Sequence, residues 1–457
     1  MKKLLFYIPM LLLAFGFVGC EKFTEGYSEN PNNATTPPPG KLMITGVELA
    51  DVLASSGEMA RLAGMWSGQF TGADRQYISL NSYNATSGDF DSPWGVIYAG
   101  GVGEARLVKA NADATLDKAM KGAALVLEAH MLGTAAALWG DVPFDQAGDV
   151  ENFPAPAYEP QEQVYQKVQT LLTDALANVS GTSYATATTM GSWAEVAHSL
   201  KARYHLHLGH YDMALDEAMM GISTPDRSWQ SIHNCTALGD INIYAYFIDY
   251  ERSGYLGAAD AHAVALLDPA GSKYRGNAKT DESGRFAWYY TADGYTALDP
   301  NFIDGAFTEC SNFVLFSWEE NQLIMAESYA RLGNDDDALA ALNLVRSYND
   351  AFFGAGDGST YAAYDLADFA AGGIANRPGK TASESLLLEI LEEKYLNTIG
   401  QIEAFNDLRR TDNAIGVPGN DGKPIPQRFL YSQNEINSNP STPNPVPSLN
   451  DPTPVND

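Results

Sequence analysis

The chain has 457 residues, with 28 lysines and arginines against 57 aspartates and glutamates, a formal net charge of −29. That balance excludes nucleic acid as a partner, which needs clustered cations to meet phosphate, and argues against charge-driven binding to an anionic lipid surface. Length and an apolar share of 45% allow a large core. Cysteine is scarce, at three residues, and sets no zinc spacing.

The N-terminus opens on Lys2 and Lys3, then an apolar run from Leu4 to Val18 broken by Pro9 and Gly16. The run is short for a membrane span, which needs ~20 residues, and has the build of a signal peptide. It ends Phe17-Val18-Gly19-Cys20, which resembles the bacterial lipobox, in which the thiol is acylated and becomes the mature N-terminus. The expected division is a signal peptide over 1–19, a lipid on Cys20, a flexible tether over 20–40 ending in Pro37-Pro38-Pro39, and one domain over 41–457.

Residues 41–220 read as mostly helical. Met43–Leu62 carries Leu49, Val52, Leu53, Met59 and Leu62. Pro93–Leu116 opens with Trp94 and Tyr98, a pair at i,i+4 expected in the core. Lys118–Trp139 is rich in Ala and Leu and stops at Gly140. Pro160–Val179 repeats Val164, Val168, Leu171, Leu172 and Leu176 at helical period. Trp193–Met220 reads as two helices joined at Gly209. Residues 221–308 lose that period and gain Gly, Asp and aromatics, so short strands and loops are expected. Helices resume over 309–412, with a loop-rich insertion at 349–380 and a last helical stretch at Ser383–Arg410, and 413–457 reads as irregular.

Two segments match. "YHLHLGHYDMALDEAM" from Tyr204 and "SYARLGNDDDALAAL" from Ser328 align Leu208-Gly209 with Leu332-Gly333 and Ala214-Leu215 with Ala338-Leu339. This step resembles the turn of a tetratricopeptide repeat, where Gly ends one helix and a small Ala lets the next pack closely. The fold class expected is mainly α, a scaffold of such helical pairs with an irregular, loop- and short-strand-rich subregion.

There is no nucleophile elbow, P-loop, dinucleotide fingerprint or zincin motif. The histidines His198, His205, His207 and His210 read as helix surface, since His207 lies far round from His205. Asp89, Asp91 and Asp335–Asp337 lack the spacing of an EF-hand. No metal site, cofactor or catalytic residue is nominated, although an acidic chain always contains carboxylate pairs. Aromatic rings in loop-like, polar surroundings suit the C–H faces of sugars, and the candidate ligand contacts are Tyr77, Tyr83, Trp229, Tyr255, Trp288 and Tyr290. Cys235 and Cys310 are left as a candidate pair.

Five segments behind the lipobox carry a family resemblance: "W-x3-Y" at Trp94 and Tyr98, "AAALWGDVPFDQA" from Ala135, "FIDYERSGY" with "LLDP" from Phe247, "EEKYLNTIGQIEAFNDLRRT" from Glu392, and "IPQRFLYSQNEINSNP" from Ile425. Together they resemble the SusD/RagB-like nutrient-binding lipoproteins of the outer membrane, in particular the second SusD-like subgroup. Ala270 and Ser432 depart from the pattern, where Arg and Pro are expected. The resemblance implies four tetratricopeptide-like pairs. It also implies an outer-membrane, outward-facing lipoprotein that captures an oligosaccharide and delivers it to a SusC-like TonB-dependent transporter, without catalysis. A surface glycoside hydrolase and a binder of peptide-type nutrients are the alternatives.

Overall fold

The computed structural model describes residues 38–179, 184–357 and 361–457. The expected signal peptide, Cys20 and all but the end of the tether lie outside the described residues. Residues 40–457 form one compact unit, and it is mainly α.

The centre is α4 (Lys118–Trp139), packed against α1 (Gly40–Ser56), α3 (Gly103–Thr115), α5 (Gln161–Leu176) and α6 (Trp193–His207), with α2 (Glu58–Trp66) packed on α1. Asp117 starts α4 by accepting the Met120 amide proton at 3.1 Å, and Gly140 ends it at φ 81°. Almost all of α4 from Gly122 onward is buried. Its length and hydropathy would suit a membrane span, yet 94% of the apolar window is covered by protein, which marks a core helix. Gly133 makes that covering possible, because a Cβ there would lie 2.2 Å from the Tyr204 ring of α6. On α1 the buried face is Met43, Ile44, Val47 and Val52, while Leu49 and Leu53 face solvent.

The two matching segments form two hairpins of one geometry. The first joins α6 to α7 (Tyr211–Ala218); the second joins α9 (Trp318–Arg331) to α10 (Asp335–Asp357), the label α8 going to the intervening Ser283–Tyr289. In both, glycine takes the left-handed turn, Gly209 at φ 70° and Gly333 at φ 82°. In both the next amide reaches back to the same carbonyl position, His210 to His205 and Asn334 to Tyr329, each at 2.9 Å. Ala214 and Ala338 are fully buried. The hairpins also pack on each other: Asn321 accepts from the Ser199 hydroxyl at 2.9 Å and donates to the Ala218 carbonyl at 2.8 Å.

Three boundaries differ from expectation. The insertion at 349–380 begins as helix, because α10 runs on to Asp357. The last helical stretch is two helices, α11 (Ala382–Asn397) and α12 (Glu403–Arg410); Gly400 at φ 84° breaks them apart, so Ser383–Arg410 is not one helix. The C-terminal segment is irregular but not loose. Phe429 and Tyr431 are buried, and the Phe429 amide donates to the Leu138 carbonyl at 2.8 Å. Ser432 caps the short helix Gln433–Ser438 and donates to Asp91 at 2.6 Å, work that a proline could not do.

The charged groups of α9–α12 hold the scaffold from inside. Arg410 donates to both oxygens of Glu327, at 2.7 and 2.5 Å, and to Asp407 at 2.6 Å, with all three side chains no more than 10% exposed. Arg203 makes the same fork on Glu320, at 2.8 and 2.7 Å. His207 bridges Tyr165 at 3.1 Å and Glu403 at 2.9 Å, and His198 meets Glu217 at 2.6 Å. These histidines are scaffold parts. Among the described residues no group of His, Cys, Asp or Glu has the arrangement of a metal site. Asp89 instead closes a capping box with Thr86.

The irregular subregion joins the scaffold through a three-stranded antiparallel sheet, β1 (Thr188–Thr189), β2 (Trp229–Ser231) and β3 (Val314–Phe316), in the order β1-β2-β3, of which β2 alone lies within 221–308. Next to it Cys235 and Cys310 form a disulfide, their Cα atoms 5.0 Å apart.

Candidate functional site

A cavity of about 440 Å³ opens where the irregular subregion meets the helices. One wall is α8. Arg285 on that helix is fully buried, donating to Glu393 of α11 at 2.5 Å, which fixes the helix against the scaffold. The next turn presents Trp288 and Tyr289 to the cavity. The Trp288 carbonyl accepts the Ala306 amide at 2.9 Å, and Gly305 permits this approach, since a Cβ there would lie 2.1 Å from the Trp288 oxygen. The facing wall is α10, whose Tyr348 and Phe352 lie one turn apart. Phe352 meets Trp288 edge-on at 5.2 Å and 89°, and stacks with Tyr348 at 5.9 Å. Tyr289 and Phe353 close the floor, with ring centres 6.5 Å apart.

The polar rim comes from the strands and turns. Ser228 and Gln230 on and before β2, Ser311 and Asn312 before β3, and Asn397 and Gln401 around the Gly400 break all line the cavity. Asn312 donates to Gln230 at 3.3 Å, which orients both amides. Glu319, at the start of α9, is the one carboxylate among the lining residues, and no cation lines the cavity. Loss of water around Glu319 pushes its pKa up to about 7, against the opposing pull of the Ser317 hydroxyl and Arg285. Burial likewise pushes the Tyr289 phenol up to about 12. The site therefore offers flat apolar faces, neutral amide and hydroxyl groups, and a carboxyl that changes protonation near neutrality.

Residues 31–224 match the model of the second SusD-like family, described as starch-binding associating with outer membrane. The fold is SusD-like. A SusD/RagB family protein from Bacteroides thetaiotaomicron has the same fold at TM-score 0.66 and 19% identity, over 89% of this chain and 95% of that one. A SusD homolog from Bacteroides fragilis superposes at TM-score 0.67 with 16% identity, over 92% and 99%. A chitin-binding protein does so at TM-score 0.62 with 15% identity, over 88% and 94%. No functionally curated protein matches the sequence. The family match spans the helices α1–α7, whereas the cavity is built from residues Pro225 to Gln401, outside the matched segment.

Of the six rings expected to meet a ligand, the SusD-like fold brings one, Trp288, to the cavity. Four are buried and show no free face. Tyr77, 3% exposed, stacks on Phe247 at 5.1 Å and accepts from Arg61 at 2.9 Å. Trp229, 0% exposed, is the inward residue of β2 against Trp193 and His130. Tyr255 packs edge-on against Tyr77 at 6.0 Å, and Tyr290 donates to the Gln69 carbonyl at 3.0 Å. Tyr83 is half-buried, but its hydroxyl accepts the Asn420 amide at 2.8 Å and its ring lies against Trp66. The helix end explains the difference: Tyr290 follows Trp288 by two, but α8 ends at Tyr289 and the chain turns Tyr290 into the core. Tyr348, Phe352 and Phe353 were hidden inside or beside a segment read as loop. The i,i+4 spacing of Tyr348 and Phe352 was the signal that α10 continues.

Proposed function

We propose that this SusD-like protein is a non-catalytic surface receptor for an oligosaccharide, bound in the Trp288 cavity. The observation that carries this reading is the pairing of Trp288 and Phe352, an edge-to-face platform rimmed by Gln230, Asn312, Asn397 and Gln401. Aromatic faces take the C–H surface of a pyranose while amides meet its hydroxyls. The family description, starch-binding associating with outer membrane, and a chitin-binding protein among the fold relatives support the same ligand class. Hydrolysis of a glycosidic bond needs two carboxyl groups flanking it, and the cavity's lining offers Glu319 alone, which favours binding over cleavage.

The cellular setting belongs to the same proposal. A lipid on Cys20 holds the protein to the outer membrane, residues 20–40 serve as tether for the single 41–457 body, and the ligand passes to a SusC-like TonB-dependent transporter. Mass spectrometry of the mature protein should find an acylated Cys20 as the first residue; an unmodified chain beginning at Met1 would refute the anchor. Calorimetry against a polysaccharide panel should show binding with no release of shorter products. Steady hydrolysis would replace the receptor with an enzyme, and capture of peptides instead of glycans would change the nutrient class.

A further inference from the structure

A second cavity, of about 520 Å³, adjoins the first. Cys310 lines both. The chain between them is a tight turn, with the Ser311 amide donating to the Thr308 carbonyl at 3.0 Å and the two hydroxyls 2.7 Å apart. The disulfide to Cys235 ties this ridge down, and Asn242 holds it from behind, its amide donating to the Glu309 carbonyl at 2.9 Å and its side chain to the Ser311 carbonyl at 2.8 Å.

The second cavity is aromatic too. Tyr295 and Phe302 stack with ring centres 5.6 Å apart and planes within 5°. Tyr295 is half exposed, as is Ile303 beside it. The Tyr295 hydroxyl donates to Asp249, and nearby the Tyr250 hydroxyl donates to Glu309, so both phenols are tied down at their hydroxyl ends. Exposed rings held rigid by hydrogen bonds lose little freedom on binding. The charged groups lining the two cavities are Asp249, Asp293, Glu309 and Glu319, with no Lys, Arg or His among them.

We infer that the Tyr295–Phe302 cavity is a second subsite for the same ligand, so that an extended, uncharged glycan lies across the Cys310 ridge with one end on Trp288 and the other on Tyr295. The inference rests on the glycan reading above. Both ends supply ring faces, and the rigid ridge between them sets their separation. A glycan bearing carboxylates or sulfates would place like charges against Asp249, Asp293 and Glu309, and against Glu319 once it ionises, with no cation among the lining residues, which opposes binding.

The test is affinity electrophoresis of the whole protein in gels cast with starch, laminarin, galactomannan, xylan, glycol chitin, polygalacturonate or chondroitin sulfate. Retardation is expected in at least one neutral gel and in neither polyanion gel. In the retarding gel Trp288→Ala and Tyr295→Ala should each weaken binding about tenfold, whereas Tyr295→Phe, which keeps the ring stacked on Phe302 and loses only its tie to Asp249, should weaken it less than Tyr295→Ala does. Ile303→Asp, a rim substitution, provides a second probe should Tyr295→Ala lower the melting temperature. Retardation by a polyanion overturns the charge selection. Loss with Trp288→Ala but none with Tyr295→Ala or Ile303→Asp overturns the second subsite and leaves the glycan reading standing. No retardation in any gel removes the glycan reading and this inference with it.

Discussion

Replacing Arg410 with Met tests what holds the C-terminal helices to the scaffold. Arg410 is the cation between Glu327 of α9 and Asp407 of α12, and all three side chains are no more than 10% exposed. Burial by itself would raise the Glu327 pKa. The charge and hydrogen bonds of Arg410 outweigh it, helped by Lys394 and Arg331, and hold Glu327 from 4.5 down to about 2. At about 1.4 kcal/mol per pH unit, that depression corresponds to about 3 kcal/mol, in line with the 3–5 kcal/mol typical of breaking a buried pair from one side. A group with a depressed pKa contributes stability above its unfolded value and loses it as pH falls toward the folded one. Urea unfolding at pH 7 should therefore show Arg410→Met destabilised by about 3 kcal/mol. Between pH 4.5 and 2 the parent should lose stability through Glu327 while the variant loses less, narrowing the gap. A loss below about 1 kcal/mol at pH 7, or a gap that stays constant through pH 3, would refute the reasoning.

Glu319 carries the opposite sign. Its raised pKa means the folded state keeps a proton that the unfolded chain has released between pH 4.5 and about 7, so this group subtracts stability as pH rises through that window. Glu319→Gln should remove about 2–3 kcal/mol of that pH dependence, read by melting at pH 5 and pH 8; parallel curves would place Glu319 in open water. Gly133→Ala should cost about 1–3 kcal/mol by driving a methyl into the Tyr204 ring, and unchanged urea midpoints would show that the ring moves freely. Leu116 is exposed at φ 58°, so Leu116→Gly should raise stability by a few tenths to about 1 kcal/mol; a fall would mean the leucine side chain makes contacts worth more than its strain. Cys235→Ser should lower stability by about 2–4 kcal/mol, the usual worth of closing a long loop, with a sequence separation of 75 between the cysteines. Equal stability in reducing and non-reducing buffer would contradict it.

The scaffold was legible because its signals are local. The stop at Gly140, the Leu-Gly turns at Gly209 and Gly333, and the Ala at the start of each following helix are short-range requirements of a helical hairpin, and the structure meets each of them. Family segments such as "EEKYLNTIGQIEAFNDLRRT" were legible for the same reason, though only part of their role could be read. Arg409 and Arg410 lie at the end of α12, where a cation suits the helix dipole, but the structure gives them a second task as partners of carbonyls, Asn406, Asp407 and Glu327. The binding face was harder to see. Whether an aromatic in an irregular segment faces in or out depends on packing from distant parts of the chain: Trp229 meets Trp193 and His130, and Tyr77 meets Phe247. Trp288 and Tyr290 differ by two positions and by the whole question of access. Phe352 could have been found, had the helical period been followed past Tyr348 into the Gly-rich stretch that follows it.

Titration calorimetry of the protein with the neutral oligosaccharide that retards it, alongside Trp288→Ala, tests the central claim most directly. The parent should bind without consuming the sugar, and Trp288→Ala should weaken binding by about 1–3 kcal/mol, the range of a central aromatic anchor, with an unchanged melting temperature. Equal affinity in the two proteins, with the fold intact, would contradict the assignment of the Trp288 cavity as the ligand site.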